Sequence, residues 1–142
     1  MADKEKTENK KTPEKKKKLD GLSMRYYSTP KGIVLALCDS ELLGNIYKET
    51  RHPKGQREQE KEEEYVVLDL KSHRHFYEPE NKETVASSAV MEFIRNNKIH
   101  CVNAVGPRAV SILTSLGIAN DEEIVIVGGI PHAIIYYIRL RE

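Results

Sequence analysis

The chain has 142 residues, a formal net charge of +1, 32% charged and 39% hydrophobic residues, and two cysteines. That length suits one ordinary domain, and two cysteines exclude a disulfide-dense secreted scaffold. The net charge hides an asymmetry that excludes a uniformly basic nucleic-acid-binding domain: residues 1–18 hold eight Lys against four Asp or Glu, which is +4 and leaves −3 for residues 19–142.

Residues 1–20, MADKEKTENKKTPEKKKKLD, carry almost no apolar bulk to offset the entropy of folding, so they read as a disordered Lys-rich tail. They contain no hydrophobic signal-peptide core. No later run approaches the roughly 18 apolar residues that span a bilayer, so a cytoplasmic protein without a membrane partner is expected. Residues 21–142 read as a single α/β domain. Within it MRYYS, 24–28, and IVLALC, 33–38, predict two strands joined by a turn. IVLALC is apolar at every position, the pattern of a strand buried on both faces. Asp39 or Ser40 offers an N-cap to a short helix through ELLGNIY. Residues 48–64, KETRHPKGQREQEKEEE, are basic then acidic around Pro53 and Gly55, and predict a charged surface loop.

YVVLDL, 65–70, predicts a strand that continues into HRHFYE. The four-residue spacings Val85–Ala89–Phe93 and Ala86–Val90–Ile94 predict a helix over 83–97. HCVNAVG, 100–106, is a short strand, and Pro107 suits the first helical position, where its missing N–H costs nothing. Val110, Leu113 and Leu116 mark that helix's inner stripe and Gly117 its left-handed stop. EIVIV, 123–127, and AIIYYIRL, 133–140, are strands around a GGIPH turn, antiparallel because their connection is short. The expected architecture is α+β: a single mixed sheet of five or six strands with three helices on one face.

Three segments resemble a known family in the same order: CD-x-ELLG within LALCDSELLGNIY, NAVG-x-x-AV within NAVGPRAVSILTSLGI, and GG-x-PHA at VGGIPHA. Over residues 24–137 the chain resembles the archaeal family catalogued as domain of unknown function 424. The resemblance implies an archaeal, cytosolic protein, loosely tied to genes of the translation apparatus. It supplies no catalytic residues, and the tail and the 48–64 block look like additions to the family's shorter body.

Four features bear on function. Lys10, Lys11, Lys15, Lys16, Lys17 and Lys18 can neutralise phosphates and release counterions, a sequence-independent source of affinity; a solubilising extension is the plainer alternative. Arg51, Lys54 and Arg108 join this candidate RNA-binding set. Gly106-Pro107-Arg108 opens a helix whose free N–H groups and dipole favour an anion, although a Gly-Pro turn is more often a cap. His73-x-His75 would pair two imidazoles on one strand face, but no CxxC or HxxxH spacing accompanies it and no metal is assigned. RYY, HRHFY and YYIRLR mix rings with cations, which suits either base stacking or core tyrosines with exposed charges.

GGIPH is the candidate contact loop: Gly128, Gly129, Pro131 and His132, acting through backbone more than through a catalytic histidine. There is no Walker motif and no GxGxxG, so no cofactor and no nucleotide hydrolysis is expected. These features point to a non-enzymatic protein that binds ribosomal RNA or the ribosome through its tail, without DNA specificity, with other translation proteins as further partners. The alternatives are a small-ligand protein or enzyme using the GGIPH region, and a protein–protein adaptor using residues 48–64.

Overall fold

A computed structural model of the chain describes residues 21–51 and 64–136. Among these residues seven strands form two sheets. The larger has the order β1 (Leu22–Thr29), β2 (Gly32–Asp39), β5 (Ile99–Val105), β7 (Ile130–Tyr136), β6 (Val125–Val127), and the smaller is a ribbon of β3 (Ile46–Arg51) and β4 (Glu64–Asp69). Strands β2 and β5 run parallel; the other described pairings are antiparallel. Strand β2 lies inside the larger sheet, and Leu35, Ala36, Leu37 and Cys38 are all fully buried, which explains the unbroken apolar run.

The pleat sends alternate residues to two separate cores. Leu35, Leu37, Val102, Ala104, Ala133 and Ile135 face helices α2 (Ser87–Asn96) and α3 (Pro107–Ser115). Ala36, Cys38, Val105 and Val127 face the β3–β4 ribbon and the one-turn helix α1 (Arg74–Tyr77). The expected α+β architecture, a mixed sheet of five strands with three helices, is what forms; two details differ, since the ribbon is a second sheet and α1 lies with it opposite α2 and α3.

Other boundaries move for tertiary reasons. The helix expected from residue 83 starts at Ser87, because Val85 exchanges both backbone hydrogen bonds with Leu22 at 2.8 and 2.9 Å and so extends the sheet edge. ELLGNIY forms only a 3-10 turn, Ser40–Leu42, before entering β3. Residues 48–51 and 64 of the expected loop are paired strand, in the register Lys48↔Val67 to Arg51↔Glu64. HRHFY is a turn and helix rather than a strand. Its C-terminal carbonyls, which a helix end leaves without partners, are taken by alternate residues of β1. Ser23 Oγ donates to Tyr77 O at 2.8 Å, Arg25 Nη1 to His75 O at 2.8 Å, and Tyr27 Oη to Phe76 O at 2.9 Å.

The parallel pairing of β2 with β5 sets Asp39 beside Gly106, one step past the Cys38↔Val105 pair. The fully buried Asp39 carboxylate accepts from Ala109 N at 2.8 Å and Arg108 N at 3.1 Å. It therefore caps α3, 70 residues away at Ala109, instead of its own 3-10 turn, where it makes no side-chain cap. Gly106, at φ 107°, makes room for it: a Cβ there would lie 2.5 Å from Asp39 Cγ. Arg108 then returns across the corner, with Nη1 and Nη2 on the two Glu41 oxygens at 2.8 and 2.6 Å and Nη2 on Gly21 O at 2.9 Å. Gly106→Ala combines backbone strain with this clash and is expected to destabilise the fold by about 3 kcal/mol. Asp39→Ala, which strands the buried Ala109 N–H and the part-buried Arg108 N–H, is expected to cost about 2–4 kcal/mol. Urea melts of both variants against Glu41→Gln, whose part-exposed ion pair is worth about 1 kcal/mol at most, test this ranking.

Candidate functional site

On the ribbon side of the sheet, Asn103 of β5 and His132 of β7 lie on the same face, two register positions apart. Tyr77, the last residue of α1, reaches them from above. Tyr77 Oη donates to Asn103 Oδ1 at 3.0 Å, and His132 Nε2 lies 3.0 Å from the same oxygen. A carboxamide oxygen only accepts, so His132 is the Nε2–H tautomer and donates. Both lone pairs of Asn103 Oδ1 are thereby used and the carboxamide is held in one orientation, with its Nδ2 hydrogens left to donate.

Tyr77 and Asn103 of this cluster line a cleft of about 500 Å³, within the range of small-molecule sites. The end of β4 and the turn after it form one wall, with Val67 to Leu70; His73, His75 and Phe76 form the other. Phe76 stacks on Tyr27 with ring planes 9° apart and meets Tyr77 edge-on, and Arg25 sits 5.5 Å over Tyr27. Asp69 Oδ1 accepts from Lys71 N and Ser72 N at 3.0 and 2.8 Å. The Ser72 amide and hydroxyl, chiefly, hold that carboxyl below its ordinary range. His73 Nδ1 donates to Asp69 O at 3.1 Å, which places the ring proton on Nδ1 and turns Nε2 toward the role of acceptor.

The groups of this cluster suit hydrogen bonding better than proton transfer. Burial pushes the Tyr77 hydroxyl up, and Cys38 adds to this against the opposing bond to Asn103. Burial lowers His132, so its ring is neutral at pH 7. Its partner is an amide, not the carboxylate or nucleophile that an acid–base pair requires. Burial, then Asp39 and Glu41, push the Cys38 thiol up to about 12, which keeps it from forming a nucleophilic thiolate. Burial raises Cys101 as well.

The residues singled out in the sequence are dispersed. Lys10, Lys11, Lys15, Lys16, Lys17, Lys18 and Lys54 lie outside the described residues, so the expected lysine contacts have no described position, and Arg51 ends β3. Arg108 is drawn inward by Glu41 and Gly21 O, and the anion slot at the start of α3 is filled by Asp39, so the GPR turn is a cap and not a phosphate site. GGIPH is not one loop. Gly128 and Gly129 alone, at φ 56° and 82°, make the two-residue turn of the β6–β7 hairpin, because consecutive positive φ values match the twist of the strands. Ile130, Pro131 and His132 already belong to β7, and Pro131 O accepts from Gly106 N at 2.8 Å. Gly128 packs on Tyr47 and Lys48 of β3, while Gly129 sits at an open tip.

His73 and His75 lie at the start of α1 and within it, so the paired imidazoles of a strand do not form. Among the described residues no cluster of three or more His, Cys, Asp or Glu is placed to hold a metal. The aromatic mixtures divide between faces: Tyr26 contacts Phe93 on the helix side, while Arg25 and Tyr27 secure α1. Sequence reasoning missed Asn103 and Tyr77. An Asn within the apolar strand CVNAV was the available signal, since a polar side chain in a central strand needs a partner.

Because the folded state lowers the pKa of His132, the unfolded chain binds the extra proton first as acid is added. Stability is expected to be complete above the ordinary value of 6.5 and to fall as pH drops from there toward the lowered one. Thermal melts between pH 7.5 and 5 should show this decline, and His132→Gln should flatten it. An unchanged slope in that variant would assign the decline to other groups.

Among the described residues no helix is long and apolar enough to cross a membrane. No family model matches the chain, and no curated protein matches it. Among solved structures, the chain is similar to an uncharacterised conserved protein from Methanopyrus kandleri, with 27% identity, a TM-score of 0.55, and coverage of 85% of this chain and 94% of that one.

Proposed function

We propose that the chain associates with ribosomal RNA as a non-catalytic component of the translation machinery, gripping phosphates with its Lys-rich amino-terminal segment. Charge segregation is the observation that carries this reading: +4 over residues 1–18 against −3 over residues 19–142. A cationic segment of this kind gains affinity by releasing counterions from the polyanion, while a mildly acidic body contributes little non-specific attraction of its own. The resemblance to the archaeal family, with its tie to translation genes, supports the same assignment. The proposed contacts are Lys10, Lys11, Lys15, Lys16, Lys17 and Lys18, with Arg51 and Lys54. Arg108 is not among them, since its guanidinium is committed to Glu41 and Gly21 O.

Removal of residues 1–20 is expected to weaken co-sedimentation with ribosomes. It should also reduce the slope of log affinity against log salt by up to about 5, the share of six phosphate contacts. Arg108→Ala should leave that slope unchanged while lowering stability. Undiminished co-sedimentation of the truncated chain in a salt-stepped sucrose gradient would refute the proposal.

A further inference from the structure

We propose that the cleft between the β4–α1 segment and β5 binds a single unpaired nucleobase. This deepens the RNA reading and rests on it for the source of the base. The cleft combines the three elements that recognise a heteroaromatic ring: a fixed hydrogen-bond donor, an acceptor, and an aromatic wall. The donor is Asn103 Nδ2, oriented because Tyr77 and His132 both occupy Oδ1, each at 3.0 Å. Since Oδ1 is saturated, the amide presents only N–H, and it selects an acceptor such as a base carbonyl or ring nitrogen.

The acceptor is His73 Nε2, assigned by the donation of Nδ1 to Asp69 O at 3.1 Å. Phe76 supplies the ring wall and is itself backed by the parallel ring of Tyr27, 5.4 Å away between centroids. That backing lets a base stack without displacing Phe76, and a stacked base is worth about 1–3 kcal/mol. Val67 completes the apolar lining even though it is 50% exposed, a large solvent-facing valine at the cleft mouth. The exposed Lys71, between cleft residues Leu70 and His73, places a cation at the rim for the phosphate of the same nucleotide. The walls are held by α1, which Ser23, Arg25 and Tyr27 fasten to β1, so the site is formed before any ligand arrives.

The shared chemistry is a base with its phosphate, which comes either from free nucleotide or from single-stranded RNA. Amide NMR spectra of the full chain, titrated separately with each of the four nucleoside monophosphates and with the hexamers U6, C6 and A6, distinguish the two sources. Shifts centred on residues 67–77 and Asn103 are expected. Response to monophosphates alone identifies a free nucleotide, and a hexamer response at least tenfold tighter identifies RNA; either supports the site. Asn103→Ala, Phe76→Leu and His73→Ala should each weaken the response about tenfold. His73 is exposed, so its variant keeps the test sound where the others fold poorly.

The chain lacking residues 1–20 should keep the monophosphate shifts even as its ribosome association falls, so failure of the tail reading and failure of the cleft reading give different results. Absence of shifts at the cleft with every ligand would overturn the proposal. So would shifts that survive His73→Ala and Phe76→Leu unchanged.

Discussion

The buried carboxylate of Asp39 is the constraint on which the rest of the structure depends. A carboxylate removed from water costs several kcal/mol unless it is satisfied. Here it receives two backbone N–H groups from the first turn of α3, with the helix dipole behind them and Arg108 Nη1 at 3.7 Å. Burial still outweighs these bonds and raises the group's pKa. Its value therefore lies in specificity more than in net stabilisation: the bonds form only when β2 and β5 are paired in this register and α3 starts at Pro107. Gly106 is required because any side chain would occupy the space of that carboxylate.

From that corner the two sides of the sheet diverge. On the helix side, Ala109, Val110, Ile112 and Leu113 of α3 pack with Val90 and Ile94 of α2 over the inward residues of the sheet, an apolar core with the usual close packing. On the ribbon side the core is thinner and its cover is made of polar bonds. Residues 23, 25 and 27 of β1 bind three successive carbonyls of α1, an arrangement that needs the strand period of two to meet a helix end. That leaves Asn103 and His132 beneath a cover that is anchored but not filled, and the cleft is the result. The sheet thus has one face closed by packing and one face whose polar groups stay beside an open cleft.

The electrostatics follow the same division. At this corner the charges are paired within the fold: the buried Asp39 with α3, and the part-exposed Arg108 with Glu41 and Gly21 O. Burial raises the Glu41 carboxyl, and the Arg108 guanidinium more than offsets it, so the net displacement is downward, as expected of a committed ion pair. What lines the cleft is a tyrosine, an amide, two imidazole rings and apolar side chains, with Asp69 bound to the backbone of its own turn. The positive charge is concentrated instead in the lysines of residues 10–18.

Features governed by neighbours within a few residues were readable from the chain alone. The apolar run of β2, Pro107 at the start of α3, the left-handed Gly117, the glycine turn before β7 and the charge of the amino-terminal segment all express local sterics, period or composition. Tertiary structure decided everything that joins distant segments. Asp39 looks like a cap for the residues that follow it, yet caps a helix 69 residues on; Arg108 looks like a phosphate ligand, yet closes on Glu41. HRHFY alternates like a strand, yet folds as a helix because β1 satisfies its carbonyls. A hydrogen-bonding side chain declares its capacity in the sequence but not its partner, and which partner it meets depends on strand register, which local pattern does not encode.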